Sequence, residues 1–95
     1  MVNINIPPKT VRVLLVLSRL NGKSGINKML YHYKKIFPDD YMNYPLLVAN
    51  LKYQHKRQRV IRVYNSYKNK FRGDNPQTYI ITSQGYYQLR KWKLI

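Results

Sequence analysis

The stretch Val11-Arg12-Val13-Leu14-Leu15-Val16-Leu17-Ser18-Arg19-Leu20 is the strongest constraint on how this chain folds. At helical spacing, Val11, Leu14, Leu15 and Ser18 make one stripe, and Val13, Val16, Leu17 and Leu20 widen it over most of the circumference. A helix apolar on most of its sides has to be enclosed, so the remaining segments must wrap around it. It is expected over 8–20, closed by Asn21-Gly22, because Gly takes the left-handed C-cap conformation without steric penalty.

The segments available for wrapping follow in order. Before the helix, Val2, Ile4 and Ile6 alternate with Asn3 and Asn5, which predicts a short strand or extended arm over 1–8 that ends at Pro7-Pro8. A second helix is expected over 24–37, capped by Ser24, with Met29, Leu30, Tyr33, Ile36 and Phe37 on one face and Lys28, Lys34 and Lys35 on the other. Pro38-Asp39-Asp40 ends it in a turn. Asn43 reads as the N-cap of a third helix with Pro45 in its first turn, and Tyr44, Leu47, Val48, Leu51 and His55 form its buried stripe before it frays near Gln58. Strands are expected over 60–64 and 77–81, joined by a polar loop over 65–76 that carries Gly73-Asp74-Asn75-Pro76. Thr82 or Ser83 then caps a last helix carrying Tyr86, Leu89, Trp92 and Lys93, and the C-terminal segment is 82–95. At 95 residues there is room for one hydrophobic core, so the chain is expected to be a single domain of the α+β class, mainly α.

Charge narrows the function. Lys and Arg total 18, Asp39, Asp40 and Asp74 are the only side-chain carboxylates, and the net charge is +15. Self-repulsion at that charge costs stability, and a polyanion would offset it. Ten Tyr among the cations add aromatic faces that suit bases and sugars, so nucleic acid is the expected partner. The apolar fraction of 44% is that of a globular domain and too high for a disordered basic tail.

Other classes fall away. Without Cys, and with only His32 and His55 as imidazoles, no set of convergent metal ligands is expected, and no cofactor. Asp39-Asp40 reads as turn chemistry rather than a nuclease pair, and three carboxylates leave an acid–base enzyme almost nothing to work with. The longest fully apolar run, 13–17, is far shorter than a membrane span, and the N-terminus lacks the basic start and apolar block of a signal peptide. A cytoplasmic, nucleoid-associated protein is the expectation.

Three helices followed by two strands and a further helix resemble the winged helix-turn-helix DNA-binding family, over about 9–93. The sharpest local match is Tyr79-Ile80-Ile81-Thr82-Ser83-Gln84-Gly85-Tyr86-Tyr87-Gln88-Leu89, similar to the L-T-x-x-G-x-x-x-L of that family's closing strand and helix. The second is Arg59-Val60-Ile61-Arg62-Val63, where the family commonly has G-L-I and this chain has Arg59 in place of the Gly. The resemblance implies that helix 3 enters the major groove of double-stranded DNA and that 65–76 is the wing. A small transcription regulator suits this reading, and so does a centromere-binding segregation or architectural protein of a plasmid, virus or archaeal chromosome, where spreading along DNA would use the same charge.

On that pose the open face of helix 3 would present Asn43, Leu46, Ala49, Asn50, Tyr53 and Gln54, with Tyr41 in the turn before it. Asn and Gln can bond adenine in two places, and apolar side chains can touch a thymine methyl. The plain alternative is a solvated helix face. Lys52, Lys56, Arg57, Arg59 and Arg62 form the densest basic cluster and are expected on phosphates, as are Lys28, Lys34 and Lys35 of helix 2. Lys68, Asn69, Lys70 and Arg72 in the wing would follow the flanking backbone; a solvated loop of ordinary proteins mixes signs, and the run over 65–72 does not. Val2, Ile4, Ile6, Tyr86, Leu89, Trp92 and Leu94 exceed what one small core needs and either cover it or form a homodimer interface, the arrangement the resemblance implies.

Gly22-Lys23-Ser24-Gly25 supports two further comparisons. It ends like a P-loop, but Leu17 stands where the first Gly is required, so a phosphate cradle is unsupported. It is also similar to the G-x-x-G loop of KH domains, which keeps an RNA-binding module as the alternative, against which stands the extra helix at 43–58. A third possibility is an interaction adaptor for an acidic protein.

Overall fold

The computed structural model of the chain describes residues 7–63 and 78–95. The elements are α1 (Lys9–Arg19), β1 (Lys23–Ser24), α2 (Ile26–Ile36), α3 (Tyr44–Lys56), β2 (Val60–Val63), β3 (Thr78–Ile81) and α4 (Ser83–Lys91). The described residues are mainly helical with one antiparallel sheet, an α+β architecture. Of the arm expected over 1–8, residues 1–6 lie outside the described residues, as does the loop over 65–76.

As its composition requires, α1 is the hub. Val11, Val13, Leu14, Leu15, Val16 and Leu17 are all buried, and the helix packs against α2, α3, α4 and β3. Met29 and Tyr33 of α2, Leu47 and Leu51 of α3, Val60, Tyr79 and Ile81 of the sheet and Leu89 of α4 complete the core. Leu20 caps α1, and Asn21 and Gly22 both take left-handed backbone at φ 64° and 82°. That sharp reversal sends Lys23 and Ser24 into the sheet.

The sheet order is β1-β3-β2. Lys23 pairs with Ile80 and Ser24 with Tyr79, while Val60, Ile61, Arg62 and Val63 pair with Ile81, Ile80, Tyr79 and Thr78. This first strand corrects two expectations. Ser24 does not cap α2: its hydroxyl donates to the Gly25 carbonyl at 2.9 Å, and α2 starts from Gly25 without a side-chain cap. Nor is Gly22–Gly25 the open loop that a G-x-x-G clamp requires, since its two middle residues are strand.

Both ends of α3 are fastened. At its start, the turn after α2 is held by Asp40, which accepts from Arg12 Nη1 at 2.8 Å and from the Tyr33 hydroxyl, with Lys9 Nζ at 3.4 Å from its other oxygen. Arg12 also donates to the Pro7 carbonyl at 2.9 Å and lies 5.4 Å from the Phe37 ring. Met42 is buried two residues further on. One carboxylate therefore ties the α2–α3 turn to the start of α1, across 28 residues of sequence. At the far end of α3, the Thr82 hydroxyl donates to the Gln58 carbonyl at 2.6 Å and the Thr82 amide to the Arg59 carbonyl at 2.9 Å. Thr82 at the same time accepts from Gly85 N at 3.3 Å as the N-cap of α4. The α3–β2 corner and the start of α4 form one joint.

Candidate nucleic-acid interface

Asn43 begins α3 as a working N-cap: its Oδ1 accepts from Leu46 N at 2.9 Å, and its Nδ2 donates to the Tyr41 hydroxyl at 2.8 Å. Both ends of this amide are thus engaged within the fold. The buried stripe is Leu47, Leu51 and Gln54, at the i, i+4, i+7 spacing of one helix face. Gln54, expected on the open side, is 0% exposed; its Nε2 donates to the Thr10 carbonyl of α1 and to Asn50 Oδ1 at 3.0 Å. Tyr44, expected in the buried stripe, is exposed. The helix is therefore turned by roughly 40° from the expected orientation, given ~100° per residue. A polar side chain inside an apolar stripe hides the true centre of that stripe.

What α3 does present outward is Tyr44 and Pro45 in its first turn, then Leu46, Ala49, Lys52, Tyr53 and Lys56. Leu46 is 42% exposed and Tyr53 39%, and Tyr41 in the preceding turn is 69% exposed. Asn50 is half-buried, with its Oδ1 bonded to Gln54. Arg57 and Arg59 lie 5.1 and 5.8 Å from the Tyr53 ring, which keeps two guanidinium groups beside the exposed face.

The cations are distributed around this face and along α2. Lys28, Lys34, Lys35, Lys52, Lys56 and Arg57 are exposed, and Arg59 and Arg62 are half-buried. Lys35 sits 4.8 Å from the ring of Tyr31, another exposed aromatic. Lys23 and Lys28 border an open pocket of about 430 Å³ together with Ser24, Gly25, Val63, Thr78 and Ile80. Among the described residues only Lys9 and Arg12 lie within ion-pair distance of a carboxylate. Among the described residues, none of α1, α2, α3 and α4 has an acidic residue in its first turn. Lys68, Asn69, Lys70 and Arg72 lie outside the described residues.

The Asp40 cluster is electrostatically distinct from this surface. Partial burial alone would raise the Asp40 pKa, but hydrogen bonds from Tyr33, Arg12 and Lys9 outweigh it and hold the carboxyl below its ordinary value. Burial pushes the Tyr33 hydroxyl up, and its hydrogen bond to the Asp40 charge pushes it further. No group of three or more His, Cys, Asp or Glu comes together among the described residues. No helix among them is long and apolar enough to cross a membrane.

The expected dimer interface is corrected at its centre. Leu89 is 0% exposed within a single chain, where it packs in the core beneath α1, so it cannot line a contact between chains. Tyr86, Trp92 and Leu94 pack against the same core and are partly buried. They cover the central helix. Val2, Ile4 and Ile6 lie outside the described residues. No protein-family model, curated protein or solved structure matches the chain.

Proposed function

We propose that this chain is a winged-helix protein that binds double-stranded DNA, with α3 in the major groove and the cations of α2, α3 and β2 on the flanking phosphates. One observation carries it: α3 exposes an acid-free face edged by Lys52, Lys56 and Arg57, with both of its ends fastened to the rest of the fold. The element order supports the same conclusion. Three helices followed by two strands and a helix is the order that the winged-helix resemblance implies, here with a short strand β1 beside β3 and α3 packed against β2. The role proposed is a binding one, as a transcription regulator or a segregation protein that coats DNA, and nucleoid association would follow from it. A homodimer on a palindromic site belongs to the same proposal and would use a surface other than Leu89; a monomeric mass by light scattering on the bound duplex would remove it.

Competition binding tests the proposal. A labelled duplex is expected to be displaced by unlabelled duplex and far less by single-stranded DNA or RNA of equal length. Preference for single-stranded RNA would overturn it. Lys56→Ala is expected to weaken binding to every duplex alike and to reduce the slope of log K against log salt by about one, as loss of one phosphate contact does. An unchanged slope would take Lys56 off the interface.

A further inference from the structure

Resting on that proposal, we infer that the exposed face of α3 reads the duplex through thymine methyl groups rather than through hydrogen bonds to base edges. Reading adenine with an amide needs the oxygen and an N–H of one side chain turned together toward the base. None of the three amides at this helix is free to turn in that way. Asn43 has its oxygen on Leu46 N and its nitrogen on Tyr41. Gln54 is sealed in the core. Asn50 is half-buried, with its oxygen bonded to Gln54.

The side chains that remain outward are of a different chemistry. Leu46, Ala49 and Tyr53 stand at i, i+3 and i+7, one stripe along the exposed surface. At ~1.5 Å rise per residue the stripe is roughly 10 Å long, close to three base-pair steps of about 3.4 Å. In the major groove the C5 methyl of thymine is the apolar feature of a base pair, and aliphatic and aromatic side chains are what contact it. Lys52, Lys56 and Arg57 on the rim supply the charge complementarity that would seat this apolar stripe in a groove walled by phosphates. The ligand is therefore duplex DNA rich in A·T pairs, recognised at its methyl groups.

The test compares an A·T duplex with the same duplex carrying deoxyuridine in every thymidine position, which removes the methyls and leaves charges and hydrogen-bonding groups in place. The wild-type protein is expected to bind the uracil duplex about fourfold less tightly per contacted methyl, the factor that burial of one such group corresponds to, with an unchanged salt slope. Placing 5-methylcytosine in a G·C duplex is expected to raise affinity, because that methyl occupies the same position in the groove. In Leu46→Ser the ratio between thymine and uracil duplexes should shrink, with binding at low salt retained. Equal affinity for thymine and uracil duplexes, alongside salt-dependent preference for duplex over single strands, would overturn the methyl readout and leave duplex binding standing. Absence of any duplex preference would overturn both.

Discussion

Gly85→Ala is expected to destabilise the fold by about 2–3 kcal/mol, the upper range for forcing an extra carbon into a packed site. A methyl group at Gly85 would lie 2.6 Å from the carbonyl oxygen of Arg59 and 2.5 Å from Cγ1 of Ile81. The Ile81 side chain has other rotamers, but the Arg59 oxygen is main chain and already accepts from Thr82 N. To make room, the start of α4 would have to lift off the α3–β2 corner, and Leu89 would lose its place beneath α1. Gly22→Ala provides the comparison. The added carbon there meets the Tyr86 hydroxyl at 2.8 Å, the movable end of a side chain, although φ of 82° brings its own strain of about 1–2 kcal/mol. Urea titrations should rank Gly85→Ala below Gly22→Ala and both below wild type; the reverse order would mean that the joint is looser than the packing implies.

Removing the Asp40 carboxylate is expected to cost a similar amount, and its cost should depend on pH. Asp40→Ala leaves the buried Tyr33 hydroxyl without its acceptor and the half-buried Arg12 with only the Pro7 carbonyl, at about 2–3 kcal/mol. Because its folded pKa is depressed, Asp40 binds fewer protons in the native than in the unfolded chain in the acid range. Its contribution is present above the unfolded value of about 4 and is lost as pH falls through the folded value. Tyr33 acts at the other limit: its folded pKa is raised, so its contribution is present below the unfolded value of about 10 and declines as pH rises beyond it. Asp40→Asn should flatten the acid limb of a midpoint-versus-pH curve and lower the plateau. An acid limb equal to that of wild type would place the sensitivity elsewhere. Since Asp40 also fixes the turn leading into Asn43, the same variants should weaken duplex binding without altering its salt slope.

Those two sites also mark where the sequence was informative and where it was not. The stripes of α1 and α2 and the Asn43 and Thr82 caps depend on neighbours within a turn or two, so spacing alone revealed them. Gly85 stands in a recognisable pattern, but the carbonyl that requires a glycine there belongs to Arg59, on the far side of β2 and β3 in the chain. Asp40 read as a turn residue because its partner Arg12 is brought to it only by the packing of α1 against α2. Strand β1 was invisible: two residues carry no periodicity, and the pairing that makes Lys23 and Ser24 a strand comes from Ile80 and Tyr79. On α3 a buried Gln breaks the apolar pattern, so spacing misplaces the face by a fraction of a turn: Gln54 lies in the core, and Asn43 and Asn50 are each bonded to a neighbour in the chain. Of the basic residues expected on phosphates, Lys28, Lys34, Lys35, Lys52, Lys56 and Arg57 are exposed as charge favours, whereas Arg59 and Arg62 are half-buried where the chain enters the sheet.

The joint between Thr82 and the Gln58–Arg59 corner has a consequence for how this chain can change. The ends of β2 and β3 are held there and by a four-pair register. Thr82 belongs at once to the end of β3, the cap of α4 and the corner that closes α3. A shift at this one residue moves both helices and the ladder together, so the angle of α3 and the seating of α4 change only as a pair.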